Sequence, residues 1–316
     1  MSRPPNLTDD QKEKLNRLEP SLREAAKKGD YSSAKRITHD IQNILRPTGH
    51  ETRLMQAKNW LFEAALESGE IDTAIPGFIG IRKKVARNTR VYLEATSLLA
   101  VCLLRKGEID KAEPLMAEAL RNELVIKSER RRREFRLNII QRFEEEATVA
   151  SFRGKYSEKF SAEELQNEAG KLVQCQTEDE IFTTLGKYSP PETKYLILRI
   201  EQFARKQLPK GDLKYLADPR DRIKDEQVGR TVFSSVKRVT YRSLCDPTSE
   251  IYKVWFNKGL GFVLNKFYIG SAITTVLADL GIGMKAVAIP IVALVIKFGI
   301  EVYCERFKPV GIMIER

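Results

Sequence analysis

A short unit recurs at near-regular spacing in the amino-terminal part of the chain, and it constrains the fold more than any other feature. Each copy has a glycine, an acidic residue, a tyrosine or isoleucine, and an alanine three positions later. The three clear copies contain Gly29, Tyr31 and Ala34; Gly69, Ile71 and Ala74; and Gly107, Ile109 and Ala112. Their glycines are 40 and 38 residues apart, and a degraded copy begins at Gly154. Such a period is typical of stacked supersecondary units.

The chemistry of this unit predicts a helix, a turn and a second helix. A glycine after an amphipathic run can adopt the left-handed conformation that ends a helix. The acidic residue that follows lies near the next helix's amino terminus, where the helix dipole favours negative charge. The run before the first glycine has apolar residues at helical spacing, namely Leu15, Leu18 and Leu22. We therefore expect three successive helical hairpins, with the alanines where two helices approach closely.

The unit resembles the tetratricopeptide repeat family over residues 10–155. The matching features are the turn, the alanine, and Phe78 or Met116 four residues beyond it. The spacing exceeds the 34-residue period of that family, and the closing proline appears only loosely, at Pro47. The resemblance implies an all-α solenoid that binds a protein or peptide. It does not imply the family's carboxylate clamp, because the corresponding positions are Arg23, Asn59, Glu63, Ser97 and Val101. Repeats that only build a scaffold or a dimer are the alternative.

The chain is basic, with 54 lysine and arginine residues against 43 acidic residues. Most of the excess lies after residue 180, so an anionic membrane surface is at least as good a partner as nucleic acid. A long helix is predicted over residues 123–153, with a basic cluster formed by Arg130, Arg131, Arg132, Arg133 and Arg136. This cluster is either a phosphate contact or a solvated helix face whose arginines pair with glutamates such as Glu144–Glu146.

No residue pattern indicates catalysis, a cofactor or a metal ion. The sequence contains no phosphate-binding glycine loop, zinc-protease or serine-hydrolase motif. The four cysteines, Cys102, Cys175, Cys245 and Cys304, are widely spaced, and the two histidines have no ligand spacing. We expect no catalytic, cofactor or metal residues, a protein that is not an enzyme, and reduced cysteines in the cytoplasm. The polar start of the chain predicts no signal peptide.

The carboxy-terminal part is unusually apolar from Gly259 to Ile300. One interpretation is a membrane hairpin over residues 260–302, with helices at 260–278 and 284–302 and both ends in the cytoplasm. A single span over 280–296 and a buried core are the alternatives. In the hairpin, Gly270 permits close helix contact, Lys266 and Lys297 lie near helix ends and can snorkel, and Pro290 kinks the second helix. The turn contains Asp279, Gly281, Gly283 and Lys285.

These features predict an all-α protein with three regions. Residues 1–155 form the repeat domain, 156–225 a helical extension and linker, and 226–316 a basic, apolar module. The predicted function is a non-enzymatic protein-binding adaptor or sensor whose last module associates with a membrane and can form homo-oligomers. The layout resembles, in architecture alone, two-part bacterial defence proteins. A fully soluble interaction scaffold and a nucleic-acid-binding protein are the alternatives. The predicted location is the cytoplasm or the cytoplasmic face of a membrane.

Overall fold

The computed structural model describes residues 4–122, 125–154, 158–247, 249–258, 267–308 and 312. Helices make up 79% of the structure, and the described ranges contain no strand. The all-α prediction is therefore confirmed at this level.

Six helices occupy residues 9–121 and form three successive pairs. A predicted glycine turn separates the first helix of each pair from the second. These helices are α1 (Asp9–Lys28), α2 (Tyr31–Leu45), α3 (Glu51–Glu67), α4 (Ile71–Lys84), α5 (Arg90–Arg105) and α6 (Ile109–Arg121). The turn glycines Gly29, Gly69 and Gly107 have φ angles of 68°, 93° and 78°. These positive values favour glycine, because a side chain strains the left-handed conformation.

The first helices of the three pairs form one layer. Helix α3 contacts α1 on one side and α5 on the other, and each first helix also contacts the second helix of its own pair. Helices α2 and α4 contact the first helix of the following pair as well. Ala34, Ala74 and Ala112 are completely buried in this array, as close packing of helices requires.

Eleven further helices occur in the described ranges after residue 122. They are α7 (Glu129–Phe152), α8 (Ala162–Cys175), α9 (Glu178–Tyr188), α10 (Pro191–Gln207), α11 (Lys210–Leu213), α12 (Pro219–Arg222), α13 (Asp225–Cys245), α14 (Glu250–Lys258), α15 (Tyr268–Asp279), α16 (Lys285–Phe298) and α17 (Ile300–Arg306).

The chain divides into two compact units within α7. The first unit contains the residues up to Ile139, and the second contains Ile140–Pro309. The predicted domain boundaries after residues 155 and 225 both fall in the residue range of the second unit.

Close backbone contact between α9 and α13 organises the second unit. A Cβ atom at Gly186 would lie 1.7 Å from the Asp225 carbonyl oxygen, and one at Gly229 would lie 1.9 Å from the Phe182 carbonyl oxygen. Only glycine permits an approach this close. This contact was not predicted from the sequence.

A disulfide joins Cys245, the last residue of α13, to Cys304 of α17, with 5.4 Å between their Cα atoms. The expectation of four reduced thiols is therefore wrong for these two cysteines. Cys102 and Cys175 form no disulfide among the described residues, and the first is buried whereas the second is exposed. The bond spans 59 residues, and a spacing of this kind does not reveal the pairing in advance.

Candidate functional site

The layer of first helices carries polar contacts between neighbouring helices. Arg53 on α3 forms a two-pronged ion pair with Glu19 on α1, from Nε to Oε1 at 2.6 Å and from Nη2 to Oε2 at 3.1 Å. Further along the same helices, the guanidinium of Arg23 lies 5.4 Å from the ring centroid of Trp60. Such cation–π contacts are favourable, and most so where water is excluded.

The side chain of Arg23 on α1 is only partly accessible to solvent. Its Nε is shielded from solvent and has no hydrogen-bond partner among the described residues. Both Arg23 and Trp60 remain partly exposed. A partly exposed arginine over a tryptophan ring is a combination that protein interfaces favour.

The contact between α3 and α5 is centred on a buried carboxylate. Glu94 accepts hydrogen bonds from Gln56 Nε2 at 2.6 Å and from Asn59 Nδ2 at 3.2 Å. Asn59 also donates to the Val91 carbonyl oxygen at 3.0 Å. Burial raises the pKa of Glu94, and the two hydrogen bonds oppose that rise only in part.

A second polar cluster joins α4, α5 and α6. Arg82 donates to Thr96 Oγ1 at 2.9 Å, to the Tyr92 hydroxyl at 3.0 Å and to Glu118 Oε2 at 2.7 Å. The Tyr92 hydroxyl in turn donates to Glu118 Oε1 at 2.7 Å. This closed set of hydrogen bonds fixes the third helix pair against the second.

The five positions that the family resemblance singled out have different environments. Asn59, Ser97 and Val101 are completely buried, so they are not accessible to a ligand. Arg23 and Glu63 are partly exposed. Five residues at these contacts were not predicted from the sequence, namely Glu19, Arg53, Gln56, Trp60 and Glu94. Arg53, Gln56 and Trp60 are spaced so that they lie on one face of α3. This spacing is the sequence signal that could have identified these three residues.

The predicted basic cluster at the start of α7 does not form one exposed patch. Arg130 approaches Glu134 at 3.6 Å, and Arg133 pairs with Glu129 at 2.9 Å. Arg132 donates to the Ile126 carbonyl oxygen at 3.1 Å. Arg136 is buried and donates to the Leu120 carbonyl oxygen at 3.0 Å. Much of the cluster's hydrogen-bonding capacity is therefore used within the chain.

The glutamates further along α7 are buried rather than solvated. Glu144, Glu145 and Glu146 are each 4% exposed, so the predicted solvated face is wrong for this stretch. Their cationic partners are Arg222 for Glu144, Lys237 at 3.0 Å for Glu145 and Arg142 at 2.8 Å for Glu146. Burial raises the pKa of Glu144, and the positive charge of Arg222 opposes this rise.

The apolar block folds into α15 and α16, which contact each other and lie in the core of the second unit. The predicted first helix (260–278) corresponds to α15 from Tyr268 onward, and the turn occupies residues 280–284. The predicted second helix (284–302) ends earlier than expected, at Phe298, because the chain bends at Gly299 before α17 begins. Helix α16 also contacts α8 and α9. Eight of its residues are buried, and they are Val287, Ala288, Pro290, Ile291, Val292, Ala293, Leu294 and Val295. Lys266 and residues 260–265 lie outside the described residues.

Both lysines of α16 bind helix α8. Lys285 pairs with Glu164 and, at 2.6 Å, with Glu168, and these hydrogen bonds raise its pKa. Lys297 donates to the carbonyl oxygens of Val173 at 3.2 Å and Gln176 at 2.5 Å. These carbonyls lie at the carboxy-terminal end of α8, where the helix dipole attracts a cation. Lys297 thus caps the carboxy-terminal end of α8 in this fold.

The remaining predicted hairpin residues lie at the helix ends and contacts. Gly270 permits a close approach to α8, since a Cβ there would be 2.3 Å from the Ala162 carbonyl oxygen. Pro290 is buried inside α16, and Asp279 is exposed at the end of α15. In the turn, Gly281 has a φ of 72°, and the Gly283 carbonyl oxygen accepts a hydrogen bond from Glu158 N at 3.0 Å.

Helix length limits how the apolar block can meet a bilayer. Among the described helices, none is by itself both long and apolar enough to cross a membrane. Helices α16 and α17 taken together satisfy the length and composition requirements, but they are bent by 94°. The bend is at Gly299, whose φ of 74° and ψ of 145° are not helical.

The fold and contacts define an all-helical protein. No protein-family model, no curated protein and no solved structure matches this chain. Across the described ranges, no group of three histidine, cysteine or acidic residues is arranged to hold a metal ion.

Proposed function

We propose that the first-helix layer, formed by α1, α3 and α5, is a protein-binding surface and that the chain is a non-enzymatic adaptor or sensor. The observation that carries this proposal is the stacking of Arg23 on Trp60 across two neighbouring helices, both side chains partly exposed. Tryptophan and arginine are the residue types most enriched at the energetic centres of protein interfaces.

The accessible part of this layer is the α1–α3 side. Every residue of α5 from Val91 to Cys102 is buried, so α5 offers little free surface. On α3, by contrast, the residues on the Arg53–Trp60 face remain partly exposed. A partner would therefore contact α1 and α3, whose relative position the Glu19–Arg53 ion pair helps to fix.

This proposal is tested by selecting peptides from a random displayed library on the full chain and measuring their affinity for variants. We expect Trp60→Ala to weaken the selected peptides at least about tenfold, because a central aromatic contact contributes about 2 kcal/mol or more. Ile79→Ala on α4 is the matched control, since Ile79 is a large exposed residue on a second helix. Failure to enrich any peptide, or equal affinity for the two variants, would contradict the proposal.

A second function is supported by a separate observation. The α16–α17 pair has the composition and combined length of a membrane span, and residues 251–316 carry eight basic and four acidic residues. We propose that the second unit associates with anionic lipid bilayers. Since α16 is buried in the fold described here, insertion needs a rearrangement that exposes it.

Flotation of the full chain with vesicles of equal parts phosphatidylcholine and phosphatidylglycerol tests this second function. We expect a fraction that stays with the vesicles through an alkaline wash, which removes proteins held only at the surface. A chain that never floats, with the disulfide intact or reduced, would contradict it.

A further inference from the structure

Helix α16 is apolar except for Lys285 and Lys297, but it is too short to cross a bilayer. It has 14 residues, which is about 21 Å of helix. The hydrocarbon core of a bilayer is about 30 Å thick. The helix is therefore about one third too short and must recruit neighbouring residues in order to span.

The residues that follow α16 supply the missing length if the bend is removed. One straight helix over residues 285–306 would be about 33 Å long, which is enough to span. Its first sixteen residues contain only two charges, Lys285 at the end and Lys297. In a continuous helix, Lys297 and Glu301 would be four residues apart and could pair on one face.

Gly299 is placed to allow this straightening. Its positive φ, combined with a ψ of 145°, is a conformation that is open essentially to glycine alone. Among the described residues, and apart from its own chain neighbours, no residue has an atom within 4 Å of the position that a Cβ would occupy there. The bend therefore depends on backbone freedom at this residue and not on a tight fit around it.

The disulfide opposes straightening. Cys304 is five residues beyond Gly299, which is about 7.5 Å along α17. Rotating α17 through the observed 94° would move Cys304 by about 11 Å. A disulfide tolerates Cα–Cα separations of only about 4.4–6.8 Å, so α17 cannot swing out from α13 while the bond is intact and α13 keeps its place.

The other contacts of α17 are weaker and reversible. The Tyr303 hydroxyl donates to the Lys237 carbonyl oxygen at 3.1 Å. The Tyr303 ring lies 4.9 Å from that of Phe307 and 6.2 Å from that of Phe233, centroid to centroid. These interactions are lost and regained without covalent change, whereas the bond between Cys245 and Cys304 is not.

We propose that the Cys245–Cys304 disulfide is a redox-controlled latch on a membrane-inserting element. With the bond intact, α17 is held against α13 and the pair stays bent; with the bond reduced, α16 and α17 straighten through Gly299 into one span. This inference rests on the membrane association proposed above. The new element is the covalent step that controls this membrane association.

The step is an ordinary thiol–disulfide exchange with a small thiol reductant such as glutathione. A reductant thiolate attacks one cysteine sulfur, the S–S bond breaks, and the other cysteine leaves as a thiolate. A second reductant thiolate then attacks the reductant sulfur of the mixed disulfide and releases the remaining protein cysteine as a thiolate. Cys245 and Cys304 gain two electrons and two protons and become thiols, while the two reductant molecules become one disulfide. Cys304 is the more exposed of the two cysteines.

The test is flotation of the full chain with equal-part phosphatidylcholine and phosphatidylglycerol vesicles, followed by an alkaline wash. The samples are the oxidised chain, the reduced chain, the double variant Cys245→Ser/Cys304→Ser, and Cys175→Ser as a control with the latch intact. We expect the reduced chain and the double variant to remain bound at least about tenfold more than the oxidised chain, which is a population shift within reach of a single covalent restraint. Cys175→Ser should match the unaltered chain in both redox states.

Two further variants keep the test informative if the double variant does not fold. Gly299→Ala strains the bent conformation and favours a continuous helix, so its reduced form should bind more than the reduced unaltered chain. Gly281→Ala places a similar strain in the turn before α16 and should not. Equal retention of oxidised and reduced chain would overturn the latch and leave the membrane association standing. Absence of binding in every sample, Gly299→Ala included, would overturn both.

Discussion

Helices α5 and α16 are both buried on nearly every side, but their burial is achieved in different ways. The buried stretch of α5 includes Glu94, Thr96 and Ser97, and each of them has a hydrogen-bond partner. The eight buried residues of α16 are all apolar. Polar partners fix a helix in one place, because moving the helix away would leave buried polar groups without hydrogen-bond partners. An apolar helix loses only its packing, which lipid can replace.

Among the substitutions that test this comparison, we expect one in the core packing of α16 to change the free energy of unfolding most. Leu294→Ala removes a completely buried side chain from the second core and should lower the free energy of unfolding by about 3 kcal/mol, within the usual range for cavities of this kind. Urea unfolding measures the change. Val302→Ala on α17, where the side chain is 52% exposed, is the control and should change the same quantity by less than about 0.5 kcal/mol. Similar effects for the two would mean that α16 is not packed as described.

The hydrogen bonds that hold α5 against α3 are removed most directly by a substitution at Asn59. Asn59→Leu removes the donor to both Glu94 and the Val91 carbonyl oxygen. We expect a loss of about 2 kcal/mol, since two buried acceptors lose a partner. Thermal unfolding followed by circular dichroism measures it. A variant as stable as the unaltered chain would show that these contacts do not hold α5.

The buried carboxylate gives a smaller effect with a definite pH dependence. Because the pKa of Glu94 is raised in the folded chain, the folded state binds more protons than the unfolded state above the ordinary carboxyl pKa. Its contribution to stability is therefore lost as pH rises through that window. Glu94→Gln, which retains an oxygen acceptor for Gln56 and Asn59, should remove this dependence and raise stability at neutral pH by about 1 kcal/mol. If the variant and the unaltered chain showed the same dependence of stability on pH, the raised pKa of the buried Glu94 would be contradicted.

The ion pairs of Lys285 should matter least. They lie near the surface, with 29% of the Lys285 side chain exposed, and such pairs contribute little and are screened by salt. We expect Lys285→Met to lower the melting temperature only slightly at low salt and not at all at high salt. A large loss that persists at high salt would show that this lysine has a structural role beyond its charge.

The sequence predicted the features that depend on neighbouring residues. The glycine turns at Gly29, Gly69 and Gly107 follow from the conformational freedom of one residue, and the apolar character of α15 and α16 follows from composition. Where those apolar helices lie does not follow from composition, because the same residues suit a bilayer and a protein core. The sequence alone is therefore compatible with both the membrane and the core interpretation.

The features that the sequence did not reveal depend on residues far apart in the chain. The disulfide joins cysteines 59 residues apart. Glu144 and Glu145 appeared solvated, since their partners Arg222 and Lys237 lie about 80 and 90 residues further along. The Arg23–Trp60 contact likewise requires the packing of two helices to be known. Local patterns carry no information about any of these pairings.

Hydrogen exchange of the full chain, oxidised and reduced, tests the central contrast most directly. If α17 is held by the latch while α1–α6 are held by polar contacts, reduction should speed exchange at the amides of residues 299–306 and leave residues 9–121 unchanged. No change at residues 299–306, or faster exchange throughout both units, would contradict the contrast between the two regions.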